Sequence, residues 1–206
     1  MPSMEPLIPR HTGLYTDFYE LTMAQGYVVS GRSENPACFD YFFRESPFQG
    51  GYVLFAGLNS FLETLESFAF GMEDLEYLRR LGFQKSFLDY LKDFRFKGTI
   101  HSVREGEVVF PLEPLIRVEG TFLEAQLIET LLLNFINFES LIATKASRMV
   151  YAARGRKVVD FGLRRAQGLA GIQASRAAAV GGVDATSNVY SSFLYDLPPS
   201  GTQAHS

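Results

Sequence analysis

The sequence predicts an α/β protein: an N-terminal region of mixed helices and strands, then the first βα units of an irregular, incomplete α/β barrel. Three observations carry this. Apolar periodicity is helical up to about residue 96 and becomes strand-like over residues 97–119. Residues 121–150 then form one long apolar stretch at helical spacing. From Arg156 onward the order is strand, tight turn, Ala-rich helix, double glycine, short strand, loop and short strand, the start of a parallel β/α region.

Taken in order, Leu14, Phe18, Leu21 and Ala24 predict a helix over 14–30. Residues 37–43 and 52–55 read as strands, joined by the Pro- and Gly-containing loop Ser46–Gly51. Leu58, Phe61, Leu62, Leu65 and Phe68 form one helical stripe, and Leu75, Leu78 and Leu81 another that stops at Gly82. Ser86, with Asp89 three residues on, predicts the cap of a further short helix. Residues 98–103, 107–110 and 115–118 read as three short strands of a small β-rich unit, punctuated by Gly106, Pro111 and Pro114. The helix over 121–150 carries Leu123, Leu127, Leu131, Phe135, Phe138 and Ile142 on several faces, so it is expected between layers. We divide the chain into residues 1–120 and 121–206, the second holding the linking helix and a truncated barrel. About two βα units fit into 156–206, whereas a closed barrel takes eight strands and roughly 250 residues.

Composition narrows the function. Net charge is −4, with no run of lysine or arginine, which argues against a nucleic-acid surface. The longest greasy stretch, 121–143, is interrupted by Glu124, Gln126, Glu129, Asn134, Asn137 and Glu139, so no membrane span is expected. The first ten residues hold three prolines and no apolar run, so no secretory leader is expected and a cytoplasmic location is. Cys38 is the single cysteine, which excludes an internal disulfide; its apolar surroundings predict a buried core thiol. His11 and His101 have no carboxylate or histidine nearby at ligand spacing, and no protein metal site is expected.

Two segments carry candidate chemistry. Asp160-Phe-Gly-Leu-Arg-Arg165 lies where a strand ends and a helix begins, the end of a parallel strand that faces ligands. There Arg164 and Arg165 add two guanidiniums to backbone amides that already favour anions. Asp184-Ala-Thr-Ser-Asn188 follows a double glycine. Its small polar groups suit either ligand contact or a plain turn with a helix cap. Tyr15, Asp17 and Tyr19 crowd the first helix beside Thr16 and Thr22, an unusual density of hydrogen-bonding groups for scaffold.

Occurring together and in order, several runs resemble the nicotinate phosphoribosyltransferase family. They are Leu14–Gln25, Phe42–Leu58, Glu105–Leu115, Leu132–Asn137 with Ser140–Lys145, Asp160–Gly168 and Gly201–Ser206. The segment Tyr190–Ser200 is less like the family than its neighbours. The resemblance covers nearly the whole chain. It implies an N-terminal α/β sandwich before the barrel. It also implies formation of nicotinate mononucleotide and pyrophosphate from nicotinate and phosphoribosyl pyrophosphate, coupled to ATP hydrolysis in NAD biosynthesis. Mg²⁺ would arrive with ATP and the donor. Phe161 would stack on the pyridine, with Tyr19 of a partner subunit on the other face. Arg164 would bind the ribose phosphate or substrate carboxylate, Arg44 the donor, and Asp184, Thr186 and Ser187 would line the pocket. His205 matches the histidine that ATP phosphorylates. The downstream barrel strands and glycine-rich phosphate loops of these longer proteins have no counterpart here. The expected state is therefore a homodimer, or a pair with a separate C-terminal half, and the isolated chain is expected to be inactive. Related enzymes acting on nicotinamide or quinolinate, and a non-catalytic remnant that dimerises or pairs with a larger paralogue, are the alternatives.

Overall fold

The computed structural model describes residues 10–203. A 3-10 turn at Thr12–Leu14 leads into α1 (Phe18–Val29). The helix starts four residues later than its apolar spacing suggests, because Asp17 is extended and serves as N-cap. Three further helices follow β1 (Pro36–Tyr41) and β2 (Val53–Leu54): α2 (Leu58–Glu66), α3 (Met72–Arg80) and α4 (Lys85–Lys92). Ser86 does not cap α4. The cap position is Gln84, whose backbone N–H donates to Gln25 Oε1 at 2.6 Å, and Asp89 pairs with Lys85 at 2.5 Å.

The strand-rich stretch supplies β3 (Thr99–Ser102), β4 (Val108–Val109) and β5 (Ile116–Thr121). It is not a separate β unit. Strand β5 lies between β1 and β3 in an antiparallel sheet, with Phe39 opposite Val118 and Ile100 opposite the same residue. Strand β4 pairs instead with β2. Burial alternates along β5, where Ile116 and Val118 face the core. On β1 the outward positions include Cys38, which is exposed. The expectation of a buried thiol fails because the apolar run around it has the strand period: Phe39 and Tyr41 pack on the core and Cys38 points away.

The long helix divides. Thr121 and Glu124 form a reciprocal cap, with Glu124 N donating to Thr121 Oγ1 at 3.2 Å and Thr121 N to Glu124 Oε2 at 2.8 Å. This starts a short α5 (Phe122–Leu127), and α6 (Glu129–Ala153) follows after Ile128. Leu131, Leu132, Phe135 and Ile136 of α6 enter an aromatic-rich core with Phe55, Phe61, Phe68, Phe87 and Leu91. Phe68 meets Phe70 and Phe94 edge-on at 5.9 and 6.0 Å between centroids. Each such buried ring contributes about 1.5–3 kcal/mol.

The next turns of α6 do a different job. Ser140 Oγ accepts from Ala56 N at 3.0 Å and Thr144 Oγ1 from Leu54 N at 2.9 Å, so hydroxyls cover backbone donors around β2. Ala143 packs with Ala177 of α7 (Ala170–Val180). At the end of α7 a Cβ on Gly181 would lie 2.6 Å from both Ala143 O and Ala146 Cβ, so only glycine permits this close approach.

Strands β6 (Val159–Asp160) and β7 (Ala185–Thr186) flank α7 and pair in parallel, Val159 opposite Ala185 and Asp160 opposite Thr186. This is the βαβ order expected from the sequence, and the chain is α/β. Beyond it lies α8 (Val189–Tyr195), where a loop and short strand were expected. Asn188 caps α8 by accepting from Ser191 N at 3.2 Å, and Pro199 makes one parallel bridge with Thr186.

Candidate functional site

The C-terminal ends of β6 and β7 open onto the turn Phe161–Gly168. Asp160 organises it. Its Oδ1 accepts from Gly162 N at 2.7 Å; its Oδ2 accepts from Ser175 Oγ at 2.7 Å and Thr186 Oγ1 at 2.8 Å. Asn188 extends the network, donating through its backbone N–H to Thr186 Oγ1 at 3.0 Å and through Nδ2 to Gly171 O at 3.2 Å. Thr186 and Asn188 are almost fully buried. A buried hydroxyl and amide this well paired hold a shape rather than wait for a ligand.

What the shape presents is Phe161, 52% exposed, with Arg164 and Arg165 on a 3-10 turn beside it. Among the described residues neither guanidinium makes a salt bridge. An exposed ring and two uncommitted cations can receive a flat anionic molecule, one by stacking and the others by bidentate hydrogen bonds. Of the other candidates, Ser187 lies at this end and donates its backbone N–H to Asp160 O at 2.8 Å. Asp184, expected to line the pocket, does not: its Oδ2 accepts from Val158 N at 2.8 Å and closes the start of β6, the opposite end of the strand.

Tyr19 and Arg44 lie elsewhere. Tyr19 is 46% exposed on α1, and its hydroxyl donates to Glu129 Oε1 at 3.1 Å and more weakly to Glu20 Oε1 at 3.4 Å. Burial, then the charges of Glu129 and Glu20, push the phenol well above its ordinary range and keep it protonated. Glu20 is fully buried and accepts from Thr16 Oγ1 at 2.5 Å and Thr130 Oγ1 at 2.7 Å. Burial raises its pKa although both hydroxyls oppose the shift. Arg44 is exposed on an open groove that also holds Cys38, Tyr41 and Glu129. Among the described residues no hydrogen bond or ring contact joins Tyr19 or Arg44 to Phe161. His205 lies outside the described residues.

Two groups escaped the sequence reading. His11 Nδ1 hydrogen-bonds the buried Asp74 carboxylate, so His11 does have an acid partner, brought to it by the fold. Arg176 on α7 is held by two carboxylates, Glu105 and Glu139, in a nearly closed cluster. Burial alone would raise Glu105, but the Arg176 hydrogen bonds outweigh it and hold this carboxyl below its usual value. Glu139 receives one guanidinium contact and is fully buried, and burial leaves its pKa raised.

A parallel βα unit with an exposed ring and paired arginines at its strand ends belongs to the α/β architectures whose ligand sites lie at the C-terminal ends of the strands. The particular family follows from comparison with known proteins. The family model for the nicotinate phosphoribosyltransferase (NAPRTase) N-terminal domain matches residues 14–137. The chain belongs to this family.

It is 44% identical over 199 residues to nicotinate phosphoribosyltransferase of Caenorhabditis elegans, covering 94% of this chain and 35% of that protein. With the Bacillus subtilis protein of the same name, identity is 46% over 194 residues, covering 93% of this chain and 40% of that one. The crystal structure of human nicotinic acid phosphoribosyltransferase superimposes with a TM-score of 0.86 at 37% identity, over 92% of this chain and 39% of the human one. Nicotinate-nucleotide pyrophosphorylase from Pyrococcus furiosus shares the fold, with a TM-score of 0.76 at 23% identity. The chain therefore spans 35–43% of the length of the curated relatives it matches. Among the described residues no helix is long and apolar enough to cross a membrane.

Proposed function

We propose that the chain is the N-terminal portion of a nicotinate phosphoribosyltransferase acting in NAD biosynthesis. The reaction would turn nicotinate, phosphoribosyl pyrophosphate, ATP and water into nicotinate mononucleotide, pyrophosphate, ADP and phosphate. The observation that carries the reading is the turn after β6, where an exposed Phe161 sits beside Arg164 and Arg165 on a strand end braced by Asp160. Phe161 would stack on the pyridine and Arg164 would hold a carboxylate or phosphate. The pyridine nitrogen bonds to the anomeric carbon as the bond to pyrophosphate breaks, and pyrophosphate leaves with that electron pair. No protein nucleophile to the sugar is needed. The protein's task is to orient a flat ring and clamp anions, with Mg²⁺ brought by ATP and the donor as part of the substrates.

Tyr19 and Arg44 fit a shared site best. Among the described residues neither contacts Phe161, so a second subunit in a homodimer would bring them to the ring and the donor. Thr186 and Ser187 would shape the pocket wall, Asp184 would brace it from the far end of β6, and His205 would accept the phosphoryl group of ATP. Two parallel strands supply only part of a donor clamp. Further barrel strands, on the same polypeptide or a separate one, would complete it.

The test is nicotinate mononucleotide formation with nicotinate, phosphoribosyl pyrophosphate, ATP and Mg²⁺. The 206-residue chain is assayed alone and together with the C-terminal barrel region of the Bacillus subtilis relative. Product only in the mixture, with a raised KM in Phe161→Ala, supports the reading. No product in either, with both partners folded and associated, refutes it and favours a non-catalytic subunit.

A further inference from the structure

We propose that Arg176 is a positioning residue for the Asp160–Arg165 turn, acting through its neighbour Ser175. This rests on the reading of that turn as the ligand-binding element. Ser175 and Arg176 are consecutive on α7, point about 100° apart around its axis, and reach different neighbours. Ser175 Oγ reaches Asp160 Oδ2 at 2.7 Å and lies 3.4 Å from Thr186 Oγ1 and 3.3 Å from Asn188 Nδ2, so it sits at the centre of the strand-end network. Arg176 turns back toward the N-terminal part. Its Nη1 donates to Glu139 Oε2 at 2.8 Å and Glu105 Oε1 at 3.1 Å, and its Nη2 to Glu105 Oε2 at 2.5 Å.

The two carboxylates are themselves anchored. Glu105 Oε1 accepts from Gly57 N at 2.6 Å, the amide at the start of α2. Glu139 lies fully buried in the middle of α6. Arg176 thus ties α7 to α6, to the N-terminus of α2 and to the turn before β4 at one point. A planar guanidinium gripped by two carboxylates admits little rotation or sliding of the helix that carries it. The far end of α7 is separately fixed by the Gly181 contact with Ala143 and Ala146. Two fixed points along one helix set both its tilt and its rotation. Rotation decides where Ser175 Oγ stands, and Ser175 decides where the Asp160 carboxylate and the Gly162 amide stand. Phe161 and Arg164 project from that turn.

Three backbone amides report on the turn without any ligand. Gly162 N donates to Asp160 Oδ1, Ser187 N to Asp160 O, and Asn188 N to Thr186 Oγ1. Amide hydrogen exchange is measured residue by residue on the full chain for wild type, Arg176→Met, Arg176→Lys and Ser175→Ala. In Arg176→Met these three amides are expected to exchange about tenfold faster, while amides of α4, such as Leu88 and Leu91, stay within about twofold. Arg176→Lys, which keeps the charge and one contact, should recover part of the protection. Ser175→Ala, with the ion cluster intact, should reproduce the local pattern. Unchanged exchange at all three amides in Arg176→Met overturns the proposal. So does acceleration that is uniform along the chain, which marks a purely structural brace. If Arg176→Met does not fold, Glu105→Gln replaces it, and the same three amides must still be selectively faster. None of these readouts needs nicotinate, so failure here is separate from failure of the proposed activity.

Discussion

Replacing Asp160 tests whether the strand-end turn is held from within or awaits a ligand. Its carboxylate receives three donors: Gly162 N, Ser175 Oγ and Thr186 Oγ1. In Asp160→Ala the three lose their acceptor, but not equally. Gly162 is half-exposed and turns to water, and Ser175 retains Gly171 O at 3.1 Å. The Thr186 hydroxyl, 1% exposed, still accepts from Asn188 N at 3.0 Å, but its proton is left with only Ser175 Oγ at 3.4 Å. A hydrogen bond to a charged group contributes about 1.5–3 kcal/mol, and a stranded buried donor costs about 1–3 kcal/mol. With the Ser175 and Gly162 losses partly made good, the expected destabilisation is about 3 kcal/mol. Asp160→Asn keeps an oxygen for Gly162 N–H and offers its NH₂ to the two hydroxyl oxygens, so about 1–2 kcal/mol is expected. Urea unfolding followed by far-UV circular dichroism measures both. A loss below about 1 kcal/mol in the alanine variant refutes the reasoning. So does an asparagine variant as unstable as the alanine one.

Four other outcomes are expected. Phe161→Ala and Arg164→Ala, at exposed positions, should change stability by no more than about 0.5 kcal/mol. In the completed enzyme both should weaken nicotinate or donor binding, read as raised KM. Gly57, at φ +102°, has room for no Cβ, since one would lie 2.7 Å from Phe135 O. Gly57→Ala should therefore cost at least about 2 kcal/mol in urea unfolding. Thr121→Ala removes the reciprocal cap of α5 and should cost about 1 kcal/mol, with helix content otherwise kept. Glu20 is pushed above its ordinary value of 4.5 by burial. Its folded form therefore holds the proton more tightly than the unfolded chain, a contribution present below 4.5 and lost as pH rises through the folded value. Glu20→Gln should flatten that decline, and an unchanged pH slope in melting temperature counts against it.

Legibility in the sequence followed the range of the interaction. The strand, turn and helix from Val159 to Val180 were readable because their signals are local: a β-branched pair, a glycine turn, then alanines. Phe161 and Arg164 stood out for the same reason. The Arg176 cluster did not, because Glu105 and Glu139 reach it only after α6 and α7 have packed. His11 and Asp74 are another pair made by tertiary approach. Cys38 misled because a strand with one face on the core reads like a buried strand when its outward residue is itself apolar. Part of the loop expected after the short strand at the double glycine became α8, because Asn188 supplies a cap and Asp196 ends the helix at φ +53°.

The position of β5 between β1 and β3 has a consequence for synthesis of the chain. Pro36 of β1 pairs with Thr121, so β1 has no neighbour in the sheet until β5 has been made. At about 5–20 residues per second, the interval is on the order of ten seconds. During that time β1 is an open edge, carrying Cys38 on a side the sheet leaves exposed. Helices α1 to α4 emerge before β5, while their shared core still lacks Ile116, Val118, Leu131 and Phe135. A nascent chain arrested before residue 116 should accordingly be sensitive to protease and to thiol reagents. One arrested once β5 and α5 have cleared the ribosome should gain protection in a single step.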